Sequence, residues 1–428
     1  MPINGIVLIY HHHLTANAAT IMQHVNAFER YSQFKIWKVN TELGFPKGLK
    51  NLQFQIVVLH YSLFGCWPFA LNEQFLTYIE ESKAYKIAFF QDEYRYWPPR
   101  IEFLNHCKVD CVYTLIEPAY FKETYQKHTR VPKLVYNLTG YVSNDLVKLA
   151  QTLSKPDKER TIDVSYRARQ LPFYMGQGSQ EKYSIALEFR KRAADLGLTL
   201  DVETAENKRI YGDKWYEFLA NSCAVLGVEA GVSIFDIDNE VYPQYEQLIA
   251  ENPNLSFEEV YQKLLYRYED NIFYRTISPR HFEAAALRVT QILFEGQYSG
   301  LMHPMVHYIP LKKDFSNFDE VFRMFNDQAL RGELTENAYR DLIASGKYSY
   351  QRFIESFDQE LFGEGLQPKI AAAEVQNVTE LLQKDRATRM MWAKIRSLRS
   401  RPFLGRKKVK LLAQPLLRRY RRWKQEKS

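Results

Sequence analysis

Short apolar runs rich in Val, Ile, Phe and Tyr punctuate the first 140 residues, at Ile6–Tyr10, Phe34–Val39, Gln55–His60, Lys86–Phe90, Val109–Leu115 and Lys133–Tyr136. Most are too short for buried helices, which usually need ten or more residues. Between them, Ala18–Phe28 and Leu71–Ile79 carry apolar residues at helical spacing. Strands alternating with helices predict a parallel sheet covered on both faces. Val142–Leu153 reads as a helical connection, and the polar run from Ser154 to Arg160 after it reads as a domain boundary.

A second series of the same kind follows. Thr161–Tyr166, Leu198–Val202, Cys223–Val228 and Val289–Phe294 read as strands, with His307–Leu311 as a further one. Glu181–Leu196, Lys214–Asn221 and Pro279–Leu287 read as helices, and two helical patterns over 243–268 read as an insertion. The fold class expected is α/β, with two Rossmann-like doubly wound domains facing across a cleft. The boundaries are 1–142 for the first domain, 143–160 for a linker, and 161–347 for the second domain, with its insertion near 240–275. Closing helices over 348–384 and a basic helical tail over 385–428 complete the chain. Ligands in such sheets bind outside the carboxyl ends of the strands, which places the chemistry in the cleft.

Charge sharpens this picture. The 428 residues carry a net charge of +7, but residues 384–428 alone hold 17 Lys and Arg against Asp385 and Glu426. The tail is therefore +15 and the remainder −8. Leu412, Leu416, Leu417 and Tyr420 recur at helical spacing among the arginines. Such a segment suits an anionic membrane surface, apolar face inserted and arginines among the headgroups. A solvated end, or phosphate contact with nucleic acid, are the other readings; the acidic body and the lack of a recognised motif weigh against nucleic acid. No uncharged apolar run reaches eighteen residues, so no transmembrane helix is expected. Four cysteines in so long a chain argue against a disulfide scaffold and suit a reducing cytoplasm. Cys107 and Cys111 lack a second pair, so no zinc site and no other metal is expected.

The most informative segment begins at Ser278-Pro279-Arg280-His281-Phe282-Glu283. Pro279 is placed to open a helix with Ser278 as its cap. A helix start offers backbone N–H groups to a phosphate, and Arg280 adds positive charge beside them. Glu283, one turn on, is placed to accept both hydroxyls of a ribose, although acids favour early helical turns in any case. In the second domain, Arg167 and Arg169 follow a strand, with Gly176, Gly178 and Lys182 beyond.

Arg280-x-Phe282-Glu283-Ala284-Ala285-Ala286, then His307-Tyr308-Ile309-Pro310-Leu311 and Asp314-x-Ser316-Asn317, resembles the donor-binding region of GT-B glycosyltransferases. The resemblance covers about fifty residues and is nearest to the spore-maturation-type "glycosyl transferases group 1" subgroup. It implies a nucleotide-sugar donor whose ribose meets Glu283, and a diphosphate held by Arg167 or Arg169 with Lys182. Many relatives carry a sugar-contacting Glu eight residues earlier; here that position is Arg275, and Glu229, at the end of a predicted strand, is the substitute candidate. No resident cofactor is expected, since the nucleotide-sugar is a co-substrate. Asp236-x-Asp238 stands in a loop without helpful strand context, which favours a metal-independent reaction.

The first domain is then expected to bind the acceptor, a glycan or lipid-linked glycan. His11-His12-His13, His60-Tyr61-Ser62 and Gln91-Asp92-Glu93 all stand at predicted strand ends. A base must lie within hydrogen-bond reach of the acceptor hydroxyl. Asp92 ranks first for this role, with His12 and Glu93 as alternatives. The expected protein is a cytoplasmic transferase, peripheral at the inner face of the membrane. The competing expectation is a noncatalytic glycan- or nucleotide-binding protein of the same fold.

Overall fold

The computed structural model describes residues 2–14 and 19–399. The first lobe is a six-stranded sheet of β1 (Ile3–Tyr10), β2 (Ile36–Asn40), β3 (Phe54–Leu59), β4 (Tyr85–Phe89), β5 (Cys111–Thr114) and β6 (Lys133–Tyr136). Its order is β2-β1-β3-β4-β5-β6 with every pairing parallel. Helices α1 (Ala19–Tyr31), α2 (Glu73–Glu81) and α3 (Trp97–Cys107) cover it. Because both faces are covered, the strands read as nearly continuous apolar runs rather than alternating ones. β3 shows this directly, with five of its six residues buried.

Helix α4 (Asn144–Leu153) links the lobes, its start capped by the Ser143 hydroxyl accepting from the Leu146 N–H. The second lobe then runs β7 (Ile162–Arg167), α5 (Gln177–Arg192), β8 (Leu200–Glu203), α6 (Asp213–Ala220), β9 (Ser222–Gly227) and β10 (Ala230–Val232). It continues through α7 (Val241–Glu251), α8 (Phe257–Lys263), β11 (Tyr274–Thr276), α9 (Pro279–Ala286), β12 (Thr290–Phe294) and β13 (Ile309–Leu311), closing with α10 (Phe318–Asn326) and α11 (Gln328–Ala338). Five strands form a parallel sheet in the order β13-β12-β9-β7-β8. Both sheets are thus doubly wound, as expected, with the order reversing between β1 and β3 in one lobe and between β7 and β9 in the other. Binding crevices open at such reversals, at the carboxyl ends of the strands.

The insertion over 240–275 is bracketed by an antiparallel hairpin that the apolar pattern did not reveal, β10 paired with β11. Three-residue strands leave too little periodicity to detect. Within the insertion, α8 is fixed by a capping box between Ser256 and Glu259. The hairpin does not stay in its own lobe. Val232, Phe235, Ile272 and Tyr274 join the apolar core beneath the first sheet. Tyr274 Oη donates to the Glu93 carboxylate and accepts from the Glu93 N–H.

After α11 the chain returns to the first lobe. Helix α12 (Tyr350–Gly363) packs Phe353, Ile354 and Phe357 against Val25 and Phe28 of α1. Its buried Asp358 accepts from the Ser32 hydroxyl and the Gln33 N–H. Helix α13 (Ala372–Gln383) places Thr379 on the Trp37 indole. The expected tail begins differently from the sequence reading. Helix α14 (Arg386–Arg399) is docked on residues 41–44, with Ala393 and Ile395 buried, Arg396 bonded to the Glu42 carbonyl and Arg389 to that of Gly44. The pattern Leu412, Leu416, Leu417 and Tyr420 lies outside the described residues. Among the described residues no helix is long and apolar enough to cross a membrane, and all four cysteines are free.

Candidate interlobe site

Helix α9 forms as its sequence dictates. Ser278 caps it, its hydroxyl accepting from the Arg280 N–H, while His281 reaches back to the Ser278 N–H and Pro279 occupies the first turn. The helix lies at the lobe junction: Gly140, between β6 and α4, leaves room for Pro279, where an added Cβ would stand 3.0 Å from the ring. Glu283 lines a crevice shared with Thr20 and Gln23 of α1, Tyr141 next to Gly140, and Tyr216 of α6. Its carboxylate accepts from the Trp215 indole N–H at 2.7 Å. Burial raises its pKa above the ordinary carboxylate value, with the Trp215 bond and the Arg280 charge pulling the other way.

Trp215 was not singled out by the sequence. It organises the site nonetheless, because the Arg280 guanidinium lies 5.0 Å above its ring while its N–H holds Glu283. One Arg280 nitrogen donates to the Arg167 carbonyl at 2.5 Å. The side chain is exposed apart from these two contacts. The available signal was an aromatic residue in the first turn of a predicted helix at a lobe edge, which alone does not distinguish a site from a core.

Lys182 stands on the second turn of α5. Among the described residues its ammonium makes no hydrogen bond or ion pair, and burial lowers its pKa below the usual lysine value. The charges acting on it are Asp92 of the opposite lobe, Arg280, Glu181 and Arg169. Lys182 therefore lies within electrostatic reach of two further cations, Arg280 and the exposed Arg169, and of two carboxylates, Asp92 of the opposite lobe and Glu181 of its own. The start of α5 itself is not available to an anion. Its Gln177 N–H donates to the Glu269 carboxylate and its Gly178 N–H to the Ser233 hydroxyl.

Asp92 lies in the turn after β4, exposed, with its backbone in the left-handed region at φ +50°. That conformation is uncommon outside glycine. It is held by Arg100, whose buried guanidinium donates to the carbonyls of Gln91, Asp92 and Arg95. Burial, and after it the Asp92 carboxylate, raise the pKa of the Tyr94 hydroxyl.

Three expected site residues are used otherwise. Arg167 does not present its guanidinium to the gap. Its donors go to the carbonyls of Tyr166, Asp201 and Lys208 and to the Asp201 carboxylate at 2.8 Å, and it stacks 4.4 Å over Phe218. Four of its five N–H groups are consumed within the lobe, so its contribution to the site is the carbonyl that anchors Arg280. Glu229 is buried and accepts from the Gln297 and Tyr298 N–H groups, fixing the turn after β12. Gly296 is required there, since an added Cβ would meet the Glu229 carboxylate at 2.6 Å. Arg275, where relatives of the resembled family carry Glu, is paired with Glu181 at 3.0 Å and Asp270 at 3.2 Å. Glu93 is buried beneath the donors Thr114, Leu115, Tyr125 and Tyr274, and cannot reach an acceptor.

His12 is half-buried in the loop after β1. Its N–H and carbonyl are clamped by the Asn40 side chain, and burial together with His13 lowers its pKa. The groups acting on Lys182 do not include it. Asp236 caps α7, accepting from the N–H groups of Glu240, Val241 and Tyr242.

No protein-family model matches the chain, and no curated protein matches it. Solved structures do resemble it. An alpha-glucosyltransferase in complex with UDP-glucose and DNA containing an abasic site is 12% identical with a TM-score of 0.49, over 83% of this chain and 98% of that one. Anabaena Alr3699/HepE in complex with UDP and glucose is 10% identical with a TM-score of 0.45, over 83% and 99%. TarM is 12% identical with a TM-score of 0.35, over 71% and 53%.

Proposed function

We propose that this chain is a glycosyltransferase that moves a sugar from a nucleotide-sugar to an acceptor hydroxyl held by the first lobe. The observation that carries the proposal is the start of α9 at the lobe junction, where Trp215 bonds the Glu283 carboxylate and lies beneath the exposed Arg280, with Lys182 within electrostatic reach of Arg280, Arg169 and the Asp92 carboxylate. In this reading Glu283 accepts the ribose hydroxyls, and the cations receive the diphosphate. The acceptor oxygen attacks the anomeric carbon and gives its proton to Asp92. The bond from that carbon to the diphosphate breaks, its electron pair passing to the phosphate oxygen. Cations fixed before reaction stabilise that charge without reorganising, which is the largest single contribution in many transfer enzymes. They take the part a divalent ion would otherwise play at the leaving group, so the reaction is metal-independent at the diphosphate.

A glycan or lipid-linked glycan is the acceptor class we infer. The basic segment beyond residue 399 supports attachment to anionic lipid, each cation near the surface adding about 1 kcal/mol. The alternative of a noncatalytic binding protein is favoured by one observation, the neutralised Arg275 where a sugar-contacting acid is expected.

UDP, GDP and their sugar conjugates, titrated by calorimetry and followed for slow donor hydrolysis, test the proposal. Binding is expected to persist in EDTA and to fall with Lys182→Ala. Hydrolysis or transfer supports the enzyme, and binding without turnover across an acceptor panel supports the alternative. No nucleotide binding, with Lys182→Ala and Glu283→Ala indistinguishable from wild type, sinks both.

A further inference from the structure

The order of the first sheet reverses between β1 and β3, and a second constellation stands at that reversal. β1 ends at Tyr10, and His11, His13 and Glu42 converge just beyond it. His11 Nε2 lies 3.4 Å from His13 Nε2 and 3.9 Å from the Glu42 carboxylate, and His13 Nδ1 lies 3.5 Å from that same carboxylate. One donor atom from each residue falls within 4.8 Å of the other two. Donors bound to a tetrahedral ion at about 2.0–2.1 Å stand roughly 3.4 Å apart. His13 is at the surface, its side chain 63% exposed, with one ring nitrogen toward His11 and the other toward Glu42.

The surroundings are those of a ligand set rather than a chance cluster. His11 Nδ1 is bonded to the Thr41 hydroxyl at 2.9 Å. With a proton on Nδ1, that bond leaves Nε2 as the lone pair aimed at His13 and Glu42. Orientation of a ligating imidazole through its other nitrogen is what fixes its tautomer in metal sites. The backbone is clamped as well: the Asn40 amide bonds both polar groups of the His12 backbone and the Glu42 N–H. The His11 N–H donates to the Ser62 hydroxyl after β3.

We propose that His11, His13 and Glu42 bind a first-row divalent transition ion of the zinc class, independently of the donor site. Two imidazoles and one carboxylate suit zinc, cobalt or nickel and disfavour magnesium and calcium, which take oxygen donors. Three protein ligands leave one position for water or an oxygen ligand. The ion ties the loop after β1 to residues 41–43, the same turn on which Arg396 of α14 rests through the Glu42 carbonyl. It therefore braces the mouth of the first lobe and the root of the basic C-terminal segment together.

Full-length protein stripped with chelator, then titrated with Zn2+ by calorimetry and with Co2+ by visible absorption, tests this. About one equivalent is expected, with Co2+ bands of a four- or five-coordinate nitrogen and oxygen site. His13→Ala and Glu42→Gln should each weaken binding at least about tenfold, and Thr41→Val, which removes no ligand atom, by about 10–100-fold. His106→Ala, a surface histidine paired with Glu80, should leave it unchanged. Circular dichroism of His13→Ala matching wild type separates loss of the site from loss of the fold. Absence of Co2+ bands, or equal affinity in wild type, His13→Ala and Glu42→Gln, overturns the proposal.

Discussion

Four arginines and a lysine of the second lobe differ only in what satisfies them. Arg167 is held by carbonyls and by Asp201, Arg275 by two carboxylates, and Arg280 by one carbonyl and the Trp215 ring beneath it. Arg169 is exposed, and Lys182 has no hydrogen-bond partner among the described residues. Removing Lys182 or Arg280 as alanine is therefore expected to lower transfer about 10²–10³-fold, the range for loss of one preorganised group on a developing anion, while thermal unfolding stays near wild type. Arg167→Ala should do the reverse. It leaves several carbonyls of the β7–β8 edge without a donor, and about 1–3 kcal/mol of stability is expected to go with them. Paired melting curves and rate measurements distinguish the two classes. Glu283 adds a pH signature. Its raised pKa means that it takes up a proton at a higher pH than an ordinary carboxylate. A protonated carboxyl has lost its charge and turned one oxygen into a donor, so it accepts the two ribose hydroxyls more weakly, and nucleotide affinity should fall as pH drops through that raised value. The same group contributes to folding stability in the opposite sense, since stability it lends below its unfolded pKa is lost as pH rises through the folded one. In Glu283→Gln the affinity change across this window should vanish.

At the scale of elements, α9 and the β10–β11 hairpin carry the most. The cap of α9 is one hydroxyl, and Ser278→Ala should cost about 1 kcal/mol, read as a lowered unfolding midpoint. Because Arg280 rides on that first turn and Glu283 one turn on, nucleotide affinity should fall with it. Most of these elements were legible from the chain. The strand and helix runs of both lobes, the linker helix and the Ser278 cap correspond to observed elements because each carries a local signal: apolar continuity, helical spacing or capping chemistry. The hairpin carried none, its strands being three residues long. Likewise nothing local separated Arg167 from Lys182. Both are cations near the start of a doubly wound lobe, and only the positions of Asp201, Phe218 and Lys208 turn one of them inward.

Across the whole molecule the lobes are joined by more than the linker. Tyr274 reaches from the second lobe into the first to bond the buried Glu93, and α12 crosses back to pack on α1. Tyr274→Phe leaves that carboxylate one donor short in a buried setting, for an expected loss of about 1–3 kcal/mol in urea unfolding. A chain ending at residue 399 retains every described contact. It should unfold and bind nucleotide like the full chain while losing association with anionic vesicles; equal vesicle binding would remove the proposed role of the segment. The sequence by itself determined the two parallel α/β sheets, their order along the chain, the capped helix at Ser278 and the concentration of positive charge at the C-terminus. These follow from apolar periodicity and charge, which are properties of neighbours in the chain. The tertiary structure alone decided that Lys182 comes within electrostatic reach of Arg280 and Asp92, that Trp215 holds Glu283, that Arg167 and Glu229 serve the fold, and that His11, His13 and Glu42 converge. Each of those depends on which distant partner satisfies a polar group first, and folding sets that through contacts far apart in sequence.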